Sequence, residues 1–117
     1  MTAQIYHNPR CSKSRQTLSL LEDNGITPEI ILYLETPPTA SELKTILSKL
    51  GLSARDIIRK GEKLYKELEL NDESLAEDAL LTAMAAHPIL IERPIVINEQ
   101  KAKLGRPPES VLEIFDK

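Results

Sequence analysis

Apolar positions change their spacing several times along the chain, and each change marks an element. Residues 3–7 are short and strand-like. From Cys11 to Asn24 the spacing is helical: Ser14, Leu18 and Leu21 recur at i, i+4 and i+7, and Gly25 supplies a stop. Glu29 to Leu34 is a nearly continuous run of strand formers, which predicts a strand covered on both faces. Thr39-Ala40-Ser41-Glu42 is a capping-box pattern ahead of Leu43, Ile46, Leu47 and Leu50 at helical spacing, closed by Gly51. Ser53 starts a short helix containing Ile57 and Ile58. The charge runs Glu62-Lys63 and Lys66-Glu67 read as solvated helix faces. Ser74-Leu75-Ala76-Glu77 opens another helix, with Leu75, Ala79, Leu80 and Ala83 on one face, and His87-Pro88 ends it.

The C-terminal third has a different rhythm. Ile95-Val96-Ile97, then Asn98-Glu99-Gln100, then Lys101 to Leu104 predicts a β-hairpin. Pro107 suits the first turn of a last helix with Val111, Leu112, Ile114 and Phe115 as its apolar side. The order is thus β-α-β, several helices, then β-β-α. A crossover helix joins the first two strands, so they are expected to be parallel. The fold class is α/β: a thioredoxin-like mixed sheet with a helical insertion and helices on its faces.

Length and composition narrow the function classes. A chain of 117 residues makes one domain, 1–117, able to bury a core. With 41% hydrophobic and 28% charged residues it reads as a soluble globular protein. A net charge of -3 disfavours nucleic acid or an anionic membrane as a partner, although local arginines can still hold a small anion. Met1-Thr2-Ala3-Gln4 passes straight into the first strand without a charged start and apolar stretch, and no run is long enough to span a membrane. The expected location is the cytoplasm.

A single cysteine, Cys11, excludes an internal disulfide and a structural zinc site built from several thiolates. It is either a buried, inert small hydrophobe or a lone reactive thiol. Position decides between them. His7-Asn8-Pro9-Arg10-Cys11-Ser12-Lys13-Ser14-Arg15 follows a strand and opens a helix. A helix N-terminus offers unpaired N–H groups and about half a positive charge, which stabilise a thiolate and can bind an oxyanion. Arg10, Lys13 and Arg15 add positive charge, and His7 could add more. Cys11 is therefore the candidate nucleophile, with a lowered pKa.

Ser14 stands where a C-x-x-C motif has its second cysteine. An alcohol cannot close a disulfide, so turnover needs a thiol from elsewhere. Ser14 either hydrogen-bonds the thiolate or satisfies a backbone group in the first turn. A phosphatase-like C-x5-R loop is excluded, because the sixth residue after Cys11 is Thr17.

Arg59, Arg93 and Arg106 lie at or near element ends, and Arg93-Pro94 and Arg106-Pro107 bracket the hairpin. A guanidinium fork matches a tetrahedral oxyanion bidentately, whereas a lone arginine is ordinarily a solvated surface charge. Pro94, just before a strand, is a candidate cis proline, with trans as the default. His87 has no second histidine at ligand spacing and reads as a helix C-terminal residue.

The segment H-N-P-x-C-x-x-S-R, His7 to Arg15, resembles the glutaredoxin-dependent arsenate reductase family. So do Leu32-Tyr33-Leu34-Glu35 with Pro37-Pro38, Ile58-Arg59-Lys60, His87-Pro88-Ile89-Leu90-Ile91, Glu92-Arg93-Pro94-Ile95-Val96 and Gly105-Arg106-Pro107. The match runs in order nearly end to end, and the chain, closing at Lys117, looks most like the short branch of the family. The resemblance implies a thioredoxin-like fold, a catalytic Cys11, and substrate binding by Arg59, Arg93 and Arg106, with His7, Ser14 and Arg15 supporting the thiolate. It also implies reduction of arsenate to arsenite, with glutathione as co-substrate and glutaredoxin as protein partner. No metal and no tightly bound cofactor are expected, and the chain is expected to be a monomer. Two alternatives stand beside this reading: a glutathione-linked thiol reductase of another substrate, and an Spx-like regulator that binds RNA polymerase. Ser14 denies the latter its disulfide switch.

Overall fold

The computed structural model describes residues 3–115. They form two compact units, one made of 3–36 and 93–115, the other of Pro37–Glu92. The first unit carries all four strands: β1 (Ala3–Tyr6), β2 (Glu29–Ile31), β3 (Ile95–Asn98) and β4 (Lys101–Leu104), in the order β2-β1-β3-β4. β1 pairs with β2 in parallel, Ile5 opposite Ile30, and with β3 antiparallel, Ile5 opposite Val96. β3 and β4 form the expected hairpin, turning at Glu99 with φ 59°. Helix α1 (Ser12–Asp23) joins the two parallel strands, which is the thioredoxin-like arrangement anticipated.

The core of this unit is built from Ala3, Ile5 and Val96 of the sheet, Leu21 of α1, and Val111, Ile114 and Phe115 of the C-terminal segment. The last element is a 3-10 helix, Pro108–Ile114, rather than an α-helix, with Pro107 as its N-cap residue. Asn98 ties it back to the hairpin by donating from Nδ2 to the Ile114 carbonyl at 2.7 Å.

The Glu29–Leu34 run departs from expectation. Only Glu29–Ile31 is strand, and the strand is not covered on both faces: Ile30 is 47% exposed. Its place at the sheet edge is the reason, since β2 pairs only with β1. Beyond it the chain turns, and Tyr33 is buried while Leu34 is 42% exposed.

The second unit is the helical insertion: α2 (Ala40–Leu50), α3 (Ala54–Ile57), α4 (Lys63–Glu67) and α5 (Glu77–Ala86), followed by a 3-10 turn at Pro88–Leu90. The Thr39 capping box is complete. Thr39 Oγ1 accepts from the Glu42 N–H at 3.1 Å, and Glu42 accepts from the Thr39 N–H at 2.9 Å. Gly51 ends α2 with φ 71°, a conformation that glycine adopts without side-chain strain. α5 starts later than Ser74 would suggest. Asp72 Oδ1 takes both the N–H and the hydroxyl of Ser74, and Glu77 is drawn to the Ala54 N–H at 3.1 Å. Among the described residues, no helix is long and apolar enough to cross a membrane.

Candidate active site

Cys11 sits at the N-cap of α1 in extended conformation, φ -95° and ψ 122°, and is partly exposed. The loop that delivers it is a chain of short-range bonds. Asn8 Oδ1 accepts from the Arg10 N–H at 3.0 Å, an Asx turn, and the Asn8 carbonyl accepts from the Cys11 N–H at 3.0 Å. The Cys11 carbonyl then takes the Arg15 N–H at 3.0 Å and starts the helix. The Asn8-Pro9 pair signalled this turn; that Asn8 is buried and holds Cys11 was not apparent from it.

An N-cap side chain faces the free N–H groups of the second and third helical residues. Here these belong to Lys13 and Ser14. The sulfur makes no strict cap hydrogen bond, yet both N–H dipoles favour its anion. Burial, the largest single influence, pushes the Cys11 thiol up. The Ser14 amide, the Arg93 guanidinium as hydrogen-bond donor and as charge, and the Lys13 amide outweigh it and hold the thiol below its ordinary value. The direction is the one expected, but the cation responsible is Arg93, remote in sequence, rather than Arg10, the Lys13 side chain or Arg15.

His7, Ser14 and Arg15 surround the loop in different ways. His7 and Ser14 are buried, and His7 Nδ1 lies 2.6 Å from Ser14 Oγ, which also accepts the Asn8 N–H at 3.0 Å. The Ser14 hydroxyl thus satisfies a backbone group, and it is the Ser14 amide that faces the sulfur. The positive charge anticipated at His7 is not there. Burial first, then the charge of Arg15, lower its pKa from 6.5, so it is neutral near neutral pH. Exposed Arg15 donates from Nη1 to the Pro9 carbonyl at 2.9 Å and clamps the outer side of the loop.

Arg93 and Arg106, which flank the hairpin, are brought together. Arg106 Nε donates to the Arg93 carbonyl at 3.0 Å, and the Arg93 guanidinium, as donor and as charge, favours the Cys11 anion. The Arg93-Pro94 and Arg106-Pro107 bonds are both cis. Arg59 lies in the second unit. Its N–H donates to the Leu90 carbonyl at 2.7 Å, and its guanidinium carries Glu62 at 3.1 Å and Glu92 at 3.2 Å.

Buried Gly105 donates its N–H to the Pro94 carbonyl at 3.0 Å and lies against Thr17 and Pro94. Its place in Gly105-Arg106-Pro107 marked it as part of a motif, but its packing partners lie elsewhere in the chain.

A partly exposed thiol biased toward its anion, beside a guanidinium and helix-start amides, suits nucleophilic attack on an oxyanion. A family model, that of the ArsC family, matches residues 6–114. The chain is similar to an arsenate reductase of Neisseria meningitidis, 58% identical over 109 residues, 92% of this chain and 93% of that one. It is also similar to the uncharacterized protein YfgD of Escherichia coli strain K12, 60% identical over 117 residues, 97% of this chain and 98% of that one. The solved structure of an arsenate reductase from Vibrio cholerae superposes with a TM-score of 0.96 at 58% identity, covering 98% of each chain. With the family model running from the Cys11 loop through the Gly105-Arg106 turn, the chain belongs to the ArsC family.

Proposed function

We propose that this protein reduces arsenate to arsenite, with Cys11 as nucleophile and glutathione and glutaredoxin as the source of electrons. The observation that carries the reading is the place of Cys11 at the N-cap of α1, where the Ser14 and Lys13 amides and the Arg93 guanidinium favour its anion. Fixed positive charge is what a thiolate needs to approach an anionic substrate, because the two repel one another in its absence. The arsenate reductase of Neisseria meningitidis, 58% identical, and that of Vibrio cholerae support the choice of substrate.

In the proposed reaction the Cys11 thiolate forms a sulfur–arsenic bond to As(V), and one arsenate oxygen leaves as water after protonation. Glutathione displaces a second oxygen in the same way, giving arsenic bonded to both sulfurs. A glutaredoxin thiolate then attacks the glutathione sulfur. A glutaredoxin–glutathione disulfide forms, the electron pair of the broken sulfur–arsenic bond stays on arsenic, and As(V) becomes As(III). Water releases arsenite and returns the Cys11 thiolate. Arg93 and Arg106 hold the oxyanion, and the family resemblance adds Arg59. Ser14 leaves Cys11 without a resolving thiol in its own motif, which accords with an external donor. The protein acts as a monomer in the cytoplasm and uses no metal.

A coupled assay with arsenate, glutathione, glutaredoxin, glutathione reductase and NADPH tests this. The wild type consumes NADPH only when arsenate and both thiol donors are present. Cys11→Ser is folded and inactive, since a serine hydroxyl without an adjacent base is a poor nucleophile. Activity that survives in Cys11→Ser overturns the mechanism. A folded wild type that is inactive toward arsenate but binds RNA polymerase overturns the function.

A further inference from the structure

Gly105 is buried, and its backbone avoids the left-handed region, so conformational freedom does not explain a glycine there. Space does. A Cβ at this position would stand 2.4 Å from Thr17 Oγ1, 2.6 Å from Pro94 Cγ and 3.2 Å from Pro94 Cδ, well inside contact distance. Neither neighbour is a loose side-chain end. Thr17 is fully buried and donates from Oγ1 to the Lys13 carbonyl at 2.8 Å, while the Pro94 ring is closed on its own backbone.

Three parts of the site meet at this bare glycine. Through Thr17 it touches the first turns of α1, where the Lys13 and Ser14 amides face Cys11. Through Pro94 it touches the residue that follows Arg93, and its N–H holds the Pro94 carbonyl. Through its own successor it fixes Arg106, whose Nε holds the Arg93 carbonyl. We propose that Gly105 is a positioning residue: its missing side chain sets the spacing between the Arg93-Pro94 segment and the start of α1, and so places the Arg93 guanidinium on the Cys11 sulfur.

The inference rests on the reading of Cys11 as the reactive thiol, but its test needs no arsenate and stands if the substrate is another oxyanion. Cys11 is the sole cysteine, so alkylation by iodoacetamide reports this thiol alone. In Gly105→Ala the pH midpoint of alkylation rises, and the rate at pH 7 falls about threefold or more as the thiolate fraction drops. Adding Thr17→Ala removes the nearest obstacle to the new methyl and moves the midpoint back toward the wild type. A Gly105→Ala protein that melts earlier but keeps the wild-type midpoint marks a merely structural glycine and overturns the proposal. If Gly105→Ala does not fold, Thr17→Val and Thr17→Ser decide. Valine puts a methyl where the oxygen approaches Gly105 and raises the midpoint, whereas serine keeps the oxygen and leaves the midpoint unchanged. Equal midpoints in those two variants overturn the proposal as well.

Discussion

His7 Nδ1 lies 2.6 Å from Ser14 Oγ, and the serine is shut off from solvent. The same oxygen accepts the Asn8 N–H at 3.0 Å, so one hydroxyl joins the imidazole to a backbone amide. The pair joins the residue after β1 to the first turn of α1 and closes the loop that presents Cys11.

Ser14→Ala takes a partner from His7 and an acceptor from the Asn8 N–H at once. Leaving buried polar groups unsatisfied costs about 1–3 kcal/mol. Urea unfolding at pH 7 is expected to show a loss on that scale, and an unchanged midpoint would show that the pair contributes nothing.

His7 makes stability depend on pH with a definite sign. Burial, and after it Arg15, lower its folded-state pKa from 6.5. Between the two values the unfolded chain binds more protons than the folded one. The stability tied to His7 is therefore complete above pH 6.5 and is lost as the pH falls through the folded-state value. Wild type is expected to lose more melting temperature between pH 7 and pH 5 than His7→Gln. Parallel losses in the two proteins would dismiss the histidine as the source.

Arg93→Ala removes a donor and a charge that favour the Cys11 anion. The alkylation midpoint of Cys11 is expected to rise toward the ordinary thiol value of about 8.5. Arg10→Ala, which alters only an exposed sequence neighbour, is expected to leave it in place. A larger effect from Arg10 would return the sulfur's electrostatics to its neighbours in sequence.

Arg59→Ala and Arg106→Ala test the proposed binding of the oxyanion rather than the state of the thiol. Each is expected to lower kcat/KM for arsenate by on the order of 2–4 kcal/mol of transition-state stabilisation, roughly 30- to 900-fold. Arg106 is exposed, so its loss is expected to cost under about 1 kcal/mol of stability. Arg59 holds Glu62 and Glu92, a partly exposed pair of contacts expected to contribute about 1 kcal/mol. Steady-state kinetics beside thermal melts separate the two effects. Unchanged kcat/KM in either variant would remove that arginine from substrate binding.

What the amino-acid sequence determined by itself is local, because its forces act within a few residues. Thr39 and Glu42 close a capping box three positions apart, Gly51 ends α2, and Ile95 to Leu104 turn back on themselves. The strand-to-helix junction that puts Cys11 at a helix start is local in the same sense, and it marked Cys11 as the candidate nucleophile. Tertiary structure decided the rest. The run at Glu29 reads alike for a central and an edge strand, and only the pairing of β2 with β1 alone exposes Ile30. His7 could carry a charge until burial and Arg15 remove it. The cation that favours the Cys11 anion is Arg93, remote in sequence, and Gly105 packs against Thr17 and Pro94 from other segments. Distances of this kind arise when separate segments pack into one volume, and no periodicity along the chain encodes them.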